Sequence, residues 1–179
     1  MLVQKISHNQ WPEVKNIYNE AFPASERKPF FTVKRVAQKG KTEVFTAVEE
    51  GQVIGFVILA IQKDLILIDY LAVSNKVRSR GTGGFLIQSI GEHYPDHRIV
   101  LLIEKPELSA ENAEQRLARK RFYLKHGFEE AGFDIKIGQG LMEVLCLNGK
   151  VLPEEYLALQ KYALGNIMFK LAKVEVLMS

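Results

Sequence analysis

Residues 67–90 read LIDYLAVSNKVRSRGTGGFLIQSI, and the order of residue types in this stretch decides the fold. An apolar segment ending at Ala72-Val73 predicts a buried strand, and a short polar turn follows it. Arg78-Ser79-Arg80-Gly81-Thr82-Gly83-Gly84 then opens a helix with Leu86, Ile87, Ile90 and Tyr94 on one face. Glycines at such a point let backbone N–H groups converge with no side chain in the way. The helix N-terminus adds positive partial charge, so the turn suits an anion such as a pyrophosphate.

Two other glycine-rich loops are excluded by spacing. A nucleoside-triphosphate loop needs GxxxxGK[ST]; Gly40-Lys41-Thr42 has Arg35 where the first glycine should stand and is followed by a β-rich segment. A dinucleotide fingerprint GxGxxG starting at Gly81 would require glycine at position 86, which is Leu86.

Upstream, Met1 to Ile6 reads as a short strand, and Asn9-Gln10-Trp11-Pro12 as a helix start. That helix carries Val14, Ile17, Tyr18 and Ala21 and stops at Pro23. Phe22 to Phe31 reads as a loop, with Thr32 capping a second helix through Gln38. Thr42 to Glu49, Val53 to Gln62 and Leu65 to Val73 are joined by short turns and predict an antiparallel meander. The last two are nearly continuous apolar runs, so helices should cover the sheet. Downstream, Ile99 to Glu104 is a buried strand reached by a parallel crossover. Ser109 to His126 reads as a helix closed by Gly127, Gly132 to Gly140 as less regular, and Leu141 to Leu147 as the final strand. Pro153 to Val176 reads as one or two further helices.

Arg78 to Gly84 satisfies the pattern [RQ]xxGxG[GA] at every position, directly after an apolar strand. Tyr123-Leu124-Lys125-His126-Gly127-Phe128 supplies Tyr-x-x-x-Gly-Phe on the second helix of the crossover. In these motifs and in element order, residues 1 to 147 resemble the GCN5-related N-acetyltransferase (GNAT) family. The fold so implied is α/β, a mixed and mostly antiparallel sheet flanked by helices. Residues 1–148 form the acetyltransferase domain and 149–179 a helical C-terminal extension.

The resemblance implies acetyl-CoA as acyl donor, with no metal. Backbone groups of Leu71, Ala72 and Val73 would pair with the pantetheine arm. Those of Arg78, Ser79, Arg80, Gly81, Thr82, Gly83 and Gly84 would hold the pyrophosphate. A substrate amine would attack the thioester directly, which requires a base for the ammonium and an acid for the leaving thiolate. Tyr123 matches the family's acid; Glu104, ending the crossover strand, is the first choice of base and Asp69 the second. Where the family often places asparagine and alanine on the second helix, this chain has Arg116 and Arg119; Asn112, one turn earlier, is the candidate substitute for the cofactor-arm contact. Glu26 and Phe30, in the loop that borders the acceptor side of this fold, are candidate substrate contacts.

Composition sets the outer bounds. The chain has 179 residues, 47% hydrophobic and 25% charged, the balance of one globular domain with an appendage. The single cysteine, Cys146, excludes a disulfide framework and a cysteine-rich zinc cluster, and reads as a small core residue. His93 and His97 are separated by Pro95 and do not share a helical metal face. Met1 to Pro12 lacks a basic segment followed by an apolar one, and the longest apolar run, Val53 to Ile61, is too short to span a bilayer. A cytoplasmic protein without a membrane partner is expected. A net charge of +3 is too mild to indicate nucleic acid, although Arg116, Arg119, Lys120, Arg121 and Lys125 make one helix basic.

The reading is therefore an acetyl-CoA-dependent N-acetyltransferase acting on a primary amine, either a small molecule or a peptide N-terminus. A non-catalytic acyl-CoA-binding regulatory module is the alternative. The C-terminal extension is expected to cover an edge strand of its own sheet or of a second copy's, which leaves a homodimer open.

Overall fold

The structure, a computed structural model, describes residues 1–24, 27–77, 81–107, 109–138 and 140–178. The chain falls into two units, Met1–Ile61 with Ile68–Pro95, and Gln62–Leu67 with Asp96–Ser179.

The first unit contains β1 (Leu2–Lys5), α1 (Trp11–Ala21), α2 (Phe30–Gln38), β2 (Glu43–Glu49), β3 (Gln52–Gln62, through Ile61), β4 (Leu65–Val73, from Ile68) and α3 (Thr82–His93). Its strands lie in the order β1-β2-β3-β4, with β1–β2 and β2–β3 antiparallel. Glu50 and Gly51 both have positive φ (51° and 79°), the geometry that suits a two-residue hairpin turn to the twist of its strands. The helical spacing of α1 has its physical counterpart here. Trp11, Val14, Ile17 and Tyr18 are buried in one cluster with Val44, Phe56, Ile58, Tyr70 and Ala72. Burying an aliphatic or aromatic side chain of this size contributes about 1.5–3 kcal/mol. Helix α2 starts two residues before the expected cap. Pro29, with φ −54°, precedes it, and Thr32 lies inside the first turn, its N–H donating to the Pro29 carbonyl. Proline lacks an N–H and has φ fixed near the helical value, so it makes a ready start.

The second unit contains the first residues of β4, then β5 (Arg98–Glu104), α4 (Ala113–Lys125), β6 (Glu129–Ile137), β7 (Gly140–Leu147), α5 (Pro153–Leu164), α6 (Asn166–Ala172) and β8 (Val174–Met178). Its strand order is β4-β5-β7-β6-β8. The β4–β5 ladder is parallel, as a helical crossover requires, and β5–β7, β7–β6 and β6–β8 are antiparallel. The architecture is thus a mixed, mostly antiparallel sheet flanked by helices.

Three expectations are corrected in this unit. Helix α4 begins at Ala113 rather than Ser109. The irregular stretch is strand β6, whose register slips between Glu130 and Asp134 around Gly132 (φ +82°), and this break hides its alternation. The C-terminal segment is not helical throughout. Gly165 (φ +80°) separates α5 from α6, Lys173 (φ +46°) ends α6, and β8 pairs with β6. Among the described residues, no helix is long and apolar enough to cross a membrane.

Candidate functional site

In the first unit, β4 delivers the backbone expected to meet a cofactor arm. Its parallel ladder runs over Leu65–Leu67 and Arg98–Val100 and, among the described residues, stops there. Leu71, Ala72 and Val73 follow the paired residues along the strand. Asp69, Leu71 and Val73 share one half-buried face of β4, while Tyr70 and Ala72 are buried on the other. Ser74 N–H donates to Ile54 C=O at 2.8 Å. Ile54 is the extra residue of a β-bulge, because Ala47 pairs with Gly55 and Val48 with Val53.

A 3-10 turn, Asn75–Val77, follows β4. Arg78, Ser79 and Arg80 lie outside the described residues. Gly81 precedes α3 in the left-handed region (φ +81°, ψ 2°), a conformation glycine adopts without strain. The first intrahelical bond of α3 is Phe85 N–H to Gly81 C=O, at 3.0 Å. The N–H groups of Thr82, Gly83 and Gly84 come before it, so the helix itself supplies them no acceptor. Thr82 and Gly84 are buried, Gly83 is half-buried and Gly81 is exposed. The seat of this helix start is set by a glycine on β3. A Cβ on Gly55 would lie 3.0 Å from the Ala72 oxygen, 3.3 Å from Leu86 Cδ1 and 3.4 Å from Thr82 Cγ2.

The loop between α1 and α2 meets β4 at Lys28, a residue nothing in the sequence singled out. Its Nζ is 2.6 Å from Asp69 Oδ2. Its N–H donates to Tyr70 Oη (3.3 Å) and its carbonyl accepts from Tyr18 Oη (3.0 Å). Phe30 packs against Trp11 and Tyr18 with ring centroids 5.9 and 5.5 Å apart, so it contributes to the core. Glu26 lies outside the described residues.

In the second unit, Glu104 ends β5 within a cationic set. Arg116 Nη2 is 2.9 Å from one carboxylate oxygen and Arg119 Nη1 3.7 Å from the other, which also accepts from Asn112 Nδ2 at 3.3 Å. Asn112 precedes α4 and accepts from Arg116 Nε at 2.7 Å; Arg116 also donates to the Lys105 carbonyl. Glu104, Asn112 and the two arginines therefore form one network. The arginines that replace the usual asparagine and alanine of the family pattern are the carboxylate's partners.

Tyr123 is buried on α4. Burial pushes its phenol up to about 12, against an opposing pull from the Arg119 charge. The residues after it form a Schellman motif. Gly127 N–H donates to Leu124 C=O (3.1 Å) and Phe128 N–H to Tyr123 C=O (3.2 Å), with Gly127 at φ +85°. The Tyr-x-x-x-Gly-Phe spacing is thus the spacing of a helix end whose last aromatic folds back onto the tyrosine.

Residues 40–130, just over half of the chain, match the model described as "Acetyltransferase (GNAT) domain". This chain belongs to the GNAT acetyltransferase family. Comparison with curated proteins gives no significant match. Solved structures agree on the fold. A GNAT-family structure from Bacteroides thetaiotaomicron superposes with TM-score 0.71 at 17% identity, covering 94% of this chain and 99% of that one. The ribosomal-protein-S18-alanine N-acetyltransferase of Escherichia coli gives 0.65 at 19% identity, covering 86% and 96%. An aminoglycoside 6'-N-acetyltransferase complexed with coenzyme A gives 0.65 at 12% identity, covering 82% and 96%. At these identities the likeness extends to the GNAT fold and no further.

Proposed function

We propose that the chain is an acetyl-CoA-dependent N-acetyltransferase in which a primary amine attacks the thioester directly. The observation that carries this reading is Gly81, left-handed at the start of α3, the first α-helix after β4, with three backbone N–H groups ahead of the first intrahelical bond. These, with Arg78, Ser79 and Arg80, hold the pyrophosphate, while Leu71–Val73 offer strand-like hydrogen bonds to the pantetheine arm. Residues 1–148 form the catalytic domain and 149–179 an appendage to it.

Tyr123 serves as the acid for the leaving thiolate, since a buried phenol keeps its proton at neutral pH. Asp69 and Glu104 are the candidate bases. Their settings favour Asp69. Glu104 is held by two guanidinium groups and an amide, whereas Asp69 is paired with a single ammonium on a loop. The aminoglycoside and ribosomal-protein alanine named for the structural neighbours set two acceptor classes to screen, small-molecule amines and peptide N-termini.

The test is calorimetric titration of acetyl-CoA and CoA into the protein and its Gly81→Asp variant, followed by thiol release with both amine classes. Micromolar binding lost in the variant, together with amine-dependent thiol release, supports the reading. Binding without release from any amine supports the regulatory module. No binding to either ligand overturns the cofactor assignment.

A further inference from the structure

Lys28 is not held as a surface lysine is held. Tyr70 Oη accepts from its N–H and Tyr18 Oη donates to its carbonyl, so the backbone is gripped on both sides. The two tyrosines are themselves buried and packed edge to face, with centroids 5.0 Å apart. The side chain is aimed by this grip. Its ammonium lies 2.6 Å from Asp69 Oδ2 and 5.5 Å from the centre of the Tyr70 ring. A carboxylate with an aromatic ring beside it is the pairing that recognises an alkyl ammonium, through a charge-assisted hydrogen bond and a cation–π contact. Asp69 also shares its face of β4 with Leu71 and Val73, the strand assigned above to the cofactor arm.

We propose that Asp69 and Tyr70 form a primary-ammonium site, that Lys28 is its internal occupant, and that Lys28 is acetylated by the acetyl-CoA the chain itself binds. This rests on the acetyltransferase reading given above. In the step, the Lys28 ammonium gives up a proton toward Asp69, directly or through water. The freed nitrogen lone pair forms the N–C bond to the thioester carbonyl carbon and the C–S bond breaks. The CoA thiolate takes a proton, so the net products are acetyl-lysine, CoA thiol and one released proton. Acetylation removes the charge that neutralises Asp69, leaving the carboxylate for an incoming acceptor ammonium.

The test incubates the full chain with isotope-labelled acetyl-CoA and follows each lysine by peptide mass spectrometry, with calorimetry of acetyl-CoA on the same sample. Lys15, Lys39 and Lys41 are exposed and serve as internal references for non-enzymatic acetylation. Lys28 is expected to react more than about tenfold faster than any of them, as a positioned nucleophile should. Its rate per molecule should not change with protein concentration, and Asp69→Asn should slow it by about a hundredfold, the scale of a lost general base. Lys28→Arg should keep the pair with Asp69, and among the lysine labels only the one at position 28 should vanish. Acetyl-CoA binding with Lys28 labelled no faster than the reference lysines, or at a rate proportional to protein concentration, overturns the proposal alone. No acetyl-CoA binding overturns the acetyltransferase reading and the proposal with it.

Discussion

The Phe128 ring packs edge-on against the Tyr123 ring, 5.4 Å away at 69°, while the Phe128 N–H donates to the Tyr123 carbonyl. The end of α4 and the placement of its buried phenol are therefore one structure. Gly127 makes the turn at φ +85°, and a Cβ there would come 3.3 Å from Leu147 Cδ1. Gly127→Ala should cost at least about 1 kcal/mol in a denaturant melt, from left-handed strain alone. Phe128→Ala, at a site only 2% exposed, should cost about 3–5 kcal/mol. Losses below half these values would show that the motif does not fix the helix end.

Tyr123→Phe keeps the ring contact and removes the proton. Turnover should fall by about 10²–10⁴-fold, the range of a lost general acid, with acetyl-CoA affinity unchanged by calorimetry. The folded-state phenol, raised from 10.0 to about 12, makes a stability contribution fully present below pH 10. That contribution is lost as pH rises toward 12, so the wild type should show an alkaline loss of stability that the phenylalanine variant lacks. Wild-type turnover in Tyr123→Phe would remove the acid role.

The β4–turn–α3 segment was legible in the sequence because its cues are local. An apolar run, a turn and glycines in one register need no distant partner to be recognised. Strand β6 was not legible, since its alternation is broken at Gly132, where the register with β7 slips. Strand β8 was hidden because Leu171, Val174 and Leu177 also fit a helical period, and its pairing with β6 lies about forty residues away along the chain. The partners of the candidate carboxylates were equally invisible. Lys28 and Asp69 are 41 residues apart, and no spacing rule joins them. Arg116 and Arg119 stood out only as departures from the family pattern, and their role toward Glu104 needed the fold.

Helix α4 is held by charge where an amphipathic helix would use apolar side chains. Arg116, Lys120 and Tyr123 fall on one stripe, and Lys120 Nζ lies 2.7 Å from Glu143 Oε1 and 2.5 Å from Glu130 Oε1. Glu143 is 6% exposed and its second oxygen has no hydrogen-bond partner among the described residues. Lys120→Met would strand this carboxylate, at about 3–5 kcal/mol. Adding Glu143→Leu should restore much of that loss, because a packed apolar pair replaces the ion pair without a buried charge. A urea double-mutant cycle measures this. A double variant no more stable than Lys120→Met would refute it.

Arg98 ties β5 to α5 through both oxygens of Glu155, with contacts of 2.9 and 2.8 Å, and also pairs with Asp64. Hydrogen bonds from Arg98, then from the Leu152 N–H, hold the Glu155 carboxyl down at about 2. A depressed carboxyl stabilises the fold above its unfolded value of 4.5, and the contribution is lost as pH falls toward about 2. Glu155→Gln should lower Tm at neutral pH, and the gap from wild type should close across that window. A gap independent of pH would mean that packing of the side chain, and not its charge, anchors α5.

Gly55 and Gly91 give a matched pair of substitutions in the first unit. An alanine at 55 would push its Cβ to 3.0 Å from the Ala72 oxygen, a backbone atom and not the far end of a flexible side chain, and against Thr82 and Leu86 of α3. An alanine at 91, within α3, meets nothing inside 4 Å. Gly91→Ala should therefore stabilise by about 0.5–1 kcal/mol, from helix propensity and a less flexible unfolded chain. Gly55→Ala should destabilise and lift the first turn of α3 from β3 and β4. Because that turn carries the N–H groups assigned to the pyrophosphate, acetyl-CoA affinity should drop in Gly55→Ala and hold in Gly91→Ala. Titrating both variants at a temperature where each is fully folded separates the two effects. Equal affinity in a folded Gly55→Ala would mean that the seating of α3 does not govern cofactor binding.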